Sequence, residues 1–92
     1  MGPLSVAAVP RVAPKARLQW DETRQRHVLL YPEGLVALNR TAAEIVGLCD
    51  GVRSVADMVE ALKQRYPAEG IDRDVVDLLA GLAAKGLVTY GQ

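Results

Sequence analysis

The stretch Tyr31 to Gly51, YPEGLVALNRTAAEIVGLCDG, constrains the fold more than any other, because a turn, a strand and a helix follow one another in it with almost no spare residues. Tyr31-Pro32-Glu33-Gly34 predicts a β-turn: Pro32 pre-sets its own φ, and Gly34 takes the closing position favoured in type I. Leu35 to Leu38 then reads as an apolar strand, stopped by Asn39 and Thr41. Thr41 and Glu44 have the spacing of a capping box. The helix that follows carries Ala42, Ile45, Val46 and Cys49 on one face, and Asp50-Gly51 ends it. A hairpin that feeds straight into a helix makes its second strand a candidate edge of the sheet. What touches that edge is the functional question.

The 92 residues suffice for one domain with a single core of modest stability. Phenylalanine is absent, so the expected core rests on Leu, Val and Ala with Trp20 and the tyrosines. Charge is balanced overall but unevenly placed: residues 1–40 hold six basic and three acidic side chains, and residues 41–92 hold five basic and eight acidic. The helical part is therefore the acidic part, which argues against a phosphate-binding helix surface and against nucleic acid as a partner. One cysteine excludes an internal disulfide framework and a multi-cysteine zinc site, and fits a cytoplasmic location. Pro3, Pro10 and Pro14 interrupt the start of the chain, which lacks early Lys or Arg. It reads as neither a signal peptide nor a membrane span, so no membrane role is expected.

Met1–Pro14 reads as a flexible, extended arm, either unstructured or pairing with a second copy in a homodimer; residues 15–92 form the expected single domain. Lys15–Trp20 alternates, with Ala16, Leu18 and Trp20 on one face. Arg26–Tyr31 is the second strand, and its continuous run Val28-Leu29-Leu30-Tyr31 predicts that both faces are partly covered. Ser54 starts the second helix with Asp57 in its first turn, and Pro67 and Gly70 close it. Its stripe of Val55, Met58, Val59, Leu62 and Tyr66 spans roughly 100°. The third helix runs from near Asp72 to Lys85, with Gly86 as its stop. Val75, Val76, Leu78, Leu79, Ala80, Leu82 and Ala83 cover roughly 200° of it, about twice the second helix's stripe. Leu87–Tyr90 is a short final strand or an extended tail. The expected class is α+β and winged-helix-like: a three-stranded antiparallel sheet followed by a three-helix bundle.

No residue pattern points to catalysis. His27 has no carboxylate or thiol at a motif spacing, and a solvent-facing or satisfied strand residue outweighs a base. Cys49 on an apolar helix face reads as a buried, inert thiol. Asp72, Asp74 and Asp77 resemble a metal cluster only superficially, since carboxylates in a helix's first turn complement its dipole. A winged-helix nucleic-acid binder would need Arg, Lys, Asn or Gln where the third helix offers these aspartates. Two surfaces stay unused: the edge of Leu35–Leu38 and the surplus apolar flank of the third helix. If they lie side by side, an extended peptide can add a strand to the edge and lay side chains on the helix. The alternative is that they pack on each other or on a second copy.

RLQWD at 17–21, VLLYPEGLVALNRTAAEIVGLCDG at 28–51, SVADMVEAL at 54–62, RYP at 65–67 and DVVDLLAGLAAKGLV at 74–88 resemble the PqqD family, small accessory proteins of pyrroloquinoline quinone (PQQ) biosynthesis. The resemblance covers nearly the whole chain after Ala16. It implies a peptide chaperone that binds the ribosomally made precursor PqqA and presents it to PqqE, a radical S-adenosylmethionine enzyme that cross-links a Glu and a Tyr of the precursor. It implies neither cofactor, metal nor catalytic residue in the chain itself. It also implies a peptide lying beside the third strand and against the third helix. That puts the expected contacts on Leu35, Val36, Ala37 and Leu38, and on Val75, Val76, Leu79 and Ala83, the choice of helix face coming from the wide apolar arc.

Overall fold

The computed structural model describes residues 7–66 and 70–91. Five strands form two antiparallel sheets. Strands β2 (Arg17–Asp21), β3 (Arg26–Tyr31) and β4 (Gly34–Ala37) make a meander in that order, and β1 (Val9–Val12) pairs with β5 (Val88–Gly91). Helices α1 (Arg40–Gly47), α2 (Val55–Arg65) and α3 (Ile71–Ala84) lie between β4 and β5. The class is α+β, but the expected three strands followed by three helices become two sheets that bracket the helices.

The first correction falls on the arm. Val9–Val12 is a strand, and hydrogen bonds tie its surroundings to three separate places: Ala13 N–H to Leu87 O, Gly51 N–H to Pro10 O, and Val55 N–H to Ala8 O. Pro10 lacks an N–H, so it uses its carbonyl and buries its ring. The expectation for residues 1–6 lies outside the described residues, as does Pro67 as a helix stop.

The meander follows the sequence closely. Tyr31 pairs with Gly34 across a two-residue loop, Pro32-Glu33. In the β2–β3 turn the Asp21 carboxylate accepts the backbone N–H and the guanidinium of Arg24. The sheet face bearing Leu29, Val36 and Leu38 turns to the helices. Val28 is only 1 % exposed yet lies on the opposite face, outside the main cluster, so the apolar run of β3 is indeed covered on both sides.

Helix α1 starts differently from the expected box. Asn39, in extended conformation, accepts the Ala42 N–H at 2.7 Å and is the N-cap, with Thr41 already inside the helix. Glu44, released from capping, pairs with Arg65 of α2. Helix α2 starts at the expected Ser54, which with Asp57 forms a capping box, and Gly70 is the N-cap of α3. Gly86, at φ 75°, stops α3: Gly86 N–H bonds Ala83 O and Leu87 N–H bonds Leu82 O, the pair of a Schellman motif.

The core joins Ala16, Leu29 and Leu38 from the sheet side to Ile45, Val46, Met58, Leu62, Ile71, Val75, Leu79 and Leu82 from the helices, with Leu87 and Val88 closing one end. Trp20 is not in it; the side chain is 46 % exposed. No described helix is long and apolar enough to cross a membrane.

Candidate functional site: the open edge of β4 and the α1–α3 cleft

Strand β4 pairs with β3 on one side and, among the described residues, with nothing on the other. Leu38 N–H donates to His27 O, which fixes the alternation of the ladder. Residues in phase with Leu38, namely Val36 and Gly34, turn their backbone groups toward β3. Leu35 and Ala37 turn theirs outward. The edge therefore offers two N–H and two C=O groups spaced for another strand. The side chains of Leu35 and Ala37 lie on the sheet face away from the helices, and Val36 packs toward the core. Strand β2 has an open edge too, but the cleft that reaches it at Trp20 is walled by α1 alone among the helices and has no α3 side.

The cleft that begins two residues beyond β4, of about 470 Å³, runs between the first two turns of α1 and of α3 and is lined by Asn39, Thr41, Ala42, Ile45, Asp74, Asp77 and Leu78. Its floor is apolar and its α3 wall carries two carboxylates. Neither Asp74 nor Asp77 makes an ion pair among the described residues.

The expected contact residues separate into three groups. Leu35, Val36 and Ala37 lie on the open strand. Leu38, Val75 and Leu79 are core, at 2 %, 0 % and 0 % exposure, and have no side-chain surface to give. Val76 lines a different cleft, between α2 and α3, with Val55, Val59 and Lys63. Ala83 is half-buried. The helix residue that meets the α1 side is Leu78, on the opposite flank of α3 from Val76. The wide apolar arc already contained Leu78. Which flank faces α1 depends on how α3 is rotated against its neighbours, and no local pattern carries that.

The reactive groups are quiet. Cys49 lies within the core, where burial pushes its thiol up to about 12, and its Sγ donates to Ile45 O. The Tyr66 hydroxyl, with Arg65 beside it, holds the Glu44 carboxyl below the usual carboxylate range. Among the described residues no group of three or more His, Cys, Asp or Glu is arranged to hold a metal ion.

A family model described as "Coenzyme PQQ synthesis protein D (PqqD)" matches residues 26–88. The chain belongs to the PqqD family. A relative from Rhodopseudomonas palustris (strain TIE-1), named "PqqA binding protein", is 50 % identical over 90 residues, 94 % of this chain and 88 % of its own length. A Methylococcus capsulatus protein of the same name is 43 % identical over 77 residues, 84 % of this chain and 83 % of its own length. The solution structure of the PqqD truncation of Methylobacterium extorquens PqqCD is described as a stand-alone recognition element for ribosomally synthesized, post-translationally modified peptides. It superposes with a TM-score of 0.79 at 38 % identity, covering 92 % of this chain and 93 % of that one. Lasso peptide synthetase B1, solved complexed with the leader peptide, gives a TM-score of 0.73 at 32 % identity, covering 89 % and 99 %. The fold described above is thus the PqqD recognition-element fold.

Proposed function

We propose that this chain is a peptide carrier of PQQ biosynthesis: it binds the precursor PqqA by strand addition to β4 and delivers it to the radical S-adenosylmethionine enzyme PqqE. The observation that carries the reading is the free edge of β4, with outward backbone groups at Leu35 and Ala37, followed two residues on by Asn39 at the border of a cleft between α1 and α3. Main-chain bonds to an edge supply affinity with little sequence demand, and the cleft supplies selection. The chain's own role is binding; the chemistry on the peptide belongs to the partner enzyme. Relatives named for binding PqqA, and a similar domain solved with a leader peptide, support the choice of ligand.

The magnitudes are adequate. A peptide burying on the order of 400 Å² of apolar surface gains roughly 10 kcal/mol gross. Ordering and association consume much of it. Affinity of roughly micromolar strength follows.

Titrating isotope-labelled protein with PqqA and following backbone amides tests the reading. Shifts should concentrate at residues 34–39 and at 74, 77 and 78. Shifts scattered elsewhere, or none at high micromolar peptide, would overturn it.

A further inference from the structure

A third cleft, of about 540 Å³, opens between the first turn of α1 and the far end of the β2–β3 hairpin, and the functional reading above leaves it unused. Trp20, Arg26, His27, Arg40, Ala43 and Glu44 form most of its wall. We propose that this surface is a second docking site, taking an acidic segment of a partner protein with Trp20 as its apolar anchor. The inference rests on the carrier reading and names the partner as the enzyme that receives the peptide.

Three observations converge on it. Trp20 is the single tryptophan of the chain, and it stands on the surface rather than in the core. Its ring is held edge-on to His27 at 5.1 Å, and its Nε1–H donates to Glu22, so its polar atom is satisfied locally and its hydrocarbon is what a partner meets. Tryptophan and arginine are the side chains that most often dominate interface energetics.

The wall of the cleft is mainly basic, with Arg26 and Arg40 against the single carboxylate of Glu44. Arg26 and Arg40 make no ion pair among the described residues. The one carboxylate in the wall, Glu44, is already engaged by Arg65. Two guanidinium groups outside any described ion pair, Arg40 lying near enough to Glu44 to favour its charged form, stand beside an apolar ring and match carboxylates next to a hydrophobic side chain, since the planar fork binds carboxylate in two-point fashion. A nucleic-acid site would need a longer basic track than two arginines.

The position suits a carrier. Of the residues lining the α1–α3 cleft, only Asn39 also borders this one. Leu38 and Asn39, at the end of the peptide's expected footprint, also border it, but the two clefts use different α1 residues, Arg40, Ala43 and Glu44 here and Thr41, Ala42 and Ile45 there.

The test uses the full chain carrying 5-fluorotryptophan, which gives one fluorine resonance, with PqqA and PqqE as probes. The Trp20 resonance should shift or broaden when PqqE is added and stay within its linewidth when PqqA is added. The double variant Arg26→Glu/Arg40→Glu should bind PqqE at least tenfold more weakly and PqqA within twofold of the parent. Trp20→Ala should behave likewise, with a thermal melt confirming that each variant is folded. Parent-like affinity for PqqE in the folded double variant overturns the surface while leaving delivery intact. No binding of PqqE by the parent overturns both, and the separate PqqA titration then still judges peptide binding. Salt-dependent retardation of an oligonucleotide that the double variant abolishes also overturns it, in favour of a polyanion site.

Discussion

Leu78 and Leu79 are adjacent in sequence and about 100° apart around α3, and aspartate at each should give opposite phenotypes. Leu79 has no exposed surface, so Leu79→Asp buries an unpaired charge and should cost several kcal/mol, enough to unfold so small a domain. Leu78 lines the α1–α3 cleft and is half-buried. Leu78→Asp should leave the domain folded, with a modest fall in melting temperature, and weaken PqqA binding at least tenfold. Circular dichroism melts beside a peptide titration read both; a folded Leu79→Asp, or a Leu78→Asp with parent-like affinity, contradicts the assignment. The pair also shows how far the residue scale was legible. The periodicity that marks α3 as broadly apolar is real, and its centre at Val75, Leu79 and Leu82 is the core stripe. Choosing contact residues from that centre selects core residues, because an arc in sequence has no outside until its neighbours are placed.

At the scale of elements, helix ends are decided by competition between nearby capping groups. Thr41 and Glu44 satisfy the box spacing, yet the helix begins one residue earlier than Thr41 and Asn39 caps it, in keeping with the strength of asparagine at that position. Asn39→Ala should therefore destabilise by about 1 kcal/mol in urea unfolding, and Thr41→Ala by less. Ser54 and Asp57 met no such rival and were readable directly. The turn after α1 adds a pH dependence. The backbone N–H groups of Arg53 and Val52 hold the Asp50 carboxyl below its ordinary value, and the N–H and side chain of Arg24 do the same for Asp21. A carboxylate with a depressed folded-state pKa stabilises fully above its unfolded value, near 4, and loses that contribution as pH falls through the folded value. The urea midpoint should thus hold steady from pH 7 to about 5 and fall below about 4. Asp50→Asn should start from a lower midpoint at pH 7 and lose less of it by pH 3. An acid loss of the same size in the variant would show that Asp50 is not among the groups responsible.

At the scale of the whole molecule the decisive feature is the β1–β5 ribbon, and it was the least legible. Its strands lie at opposite ends of the described chain, so no local period announces the pairing, and Pro10 argues against a strand wherever an N–H is needed. The ribbon does more than close the core. The segment around β1 bonds the chain after α1 through Cys49 and Gly51, the start of α2 through Val55, and the exit of α3 through Leu87. It therefore ties the exits of α1 and α3 together, and loosening it is expected to let the two helices shift and the cleft between their opposite ends widen. Removing residues 1–12 should lower the melting temperature by more than about 10 °C, since Pro10 and Val12 leave the interior of a domain with only a few kcal/mol to lose. The same truncation should open a path to Cys49. In the full chain its buried thiol, pushed up to about 12, should react with a disulfide reagent only as fast as the protein unfolds. In the truncated chain the reaction should be faster at temperatures where circular dichroism still reports a folded protein. Peptide affinity should fall in the same temperature range although every residue of β4 is retained, because the edge survives while the cleft beyond it loosens. If the truncated chain melts with the parent and holds PqqA as tightly, the ribbon does not govern the cleft, and the binding energy resides in the strand edge alone.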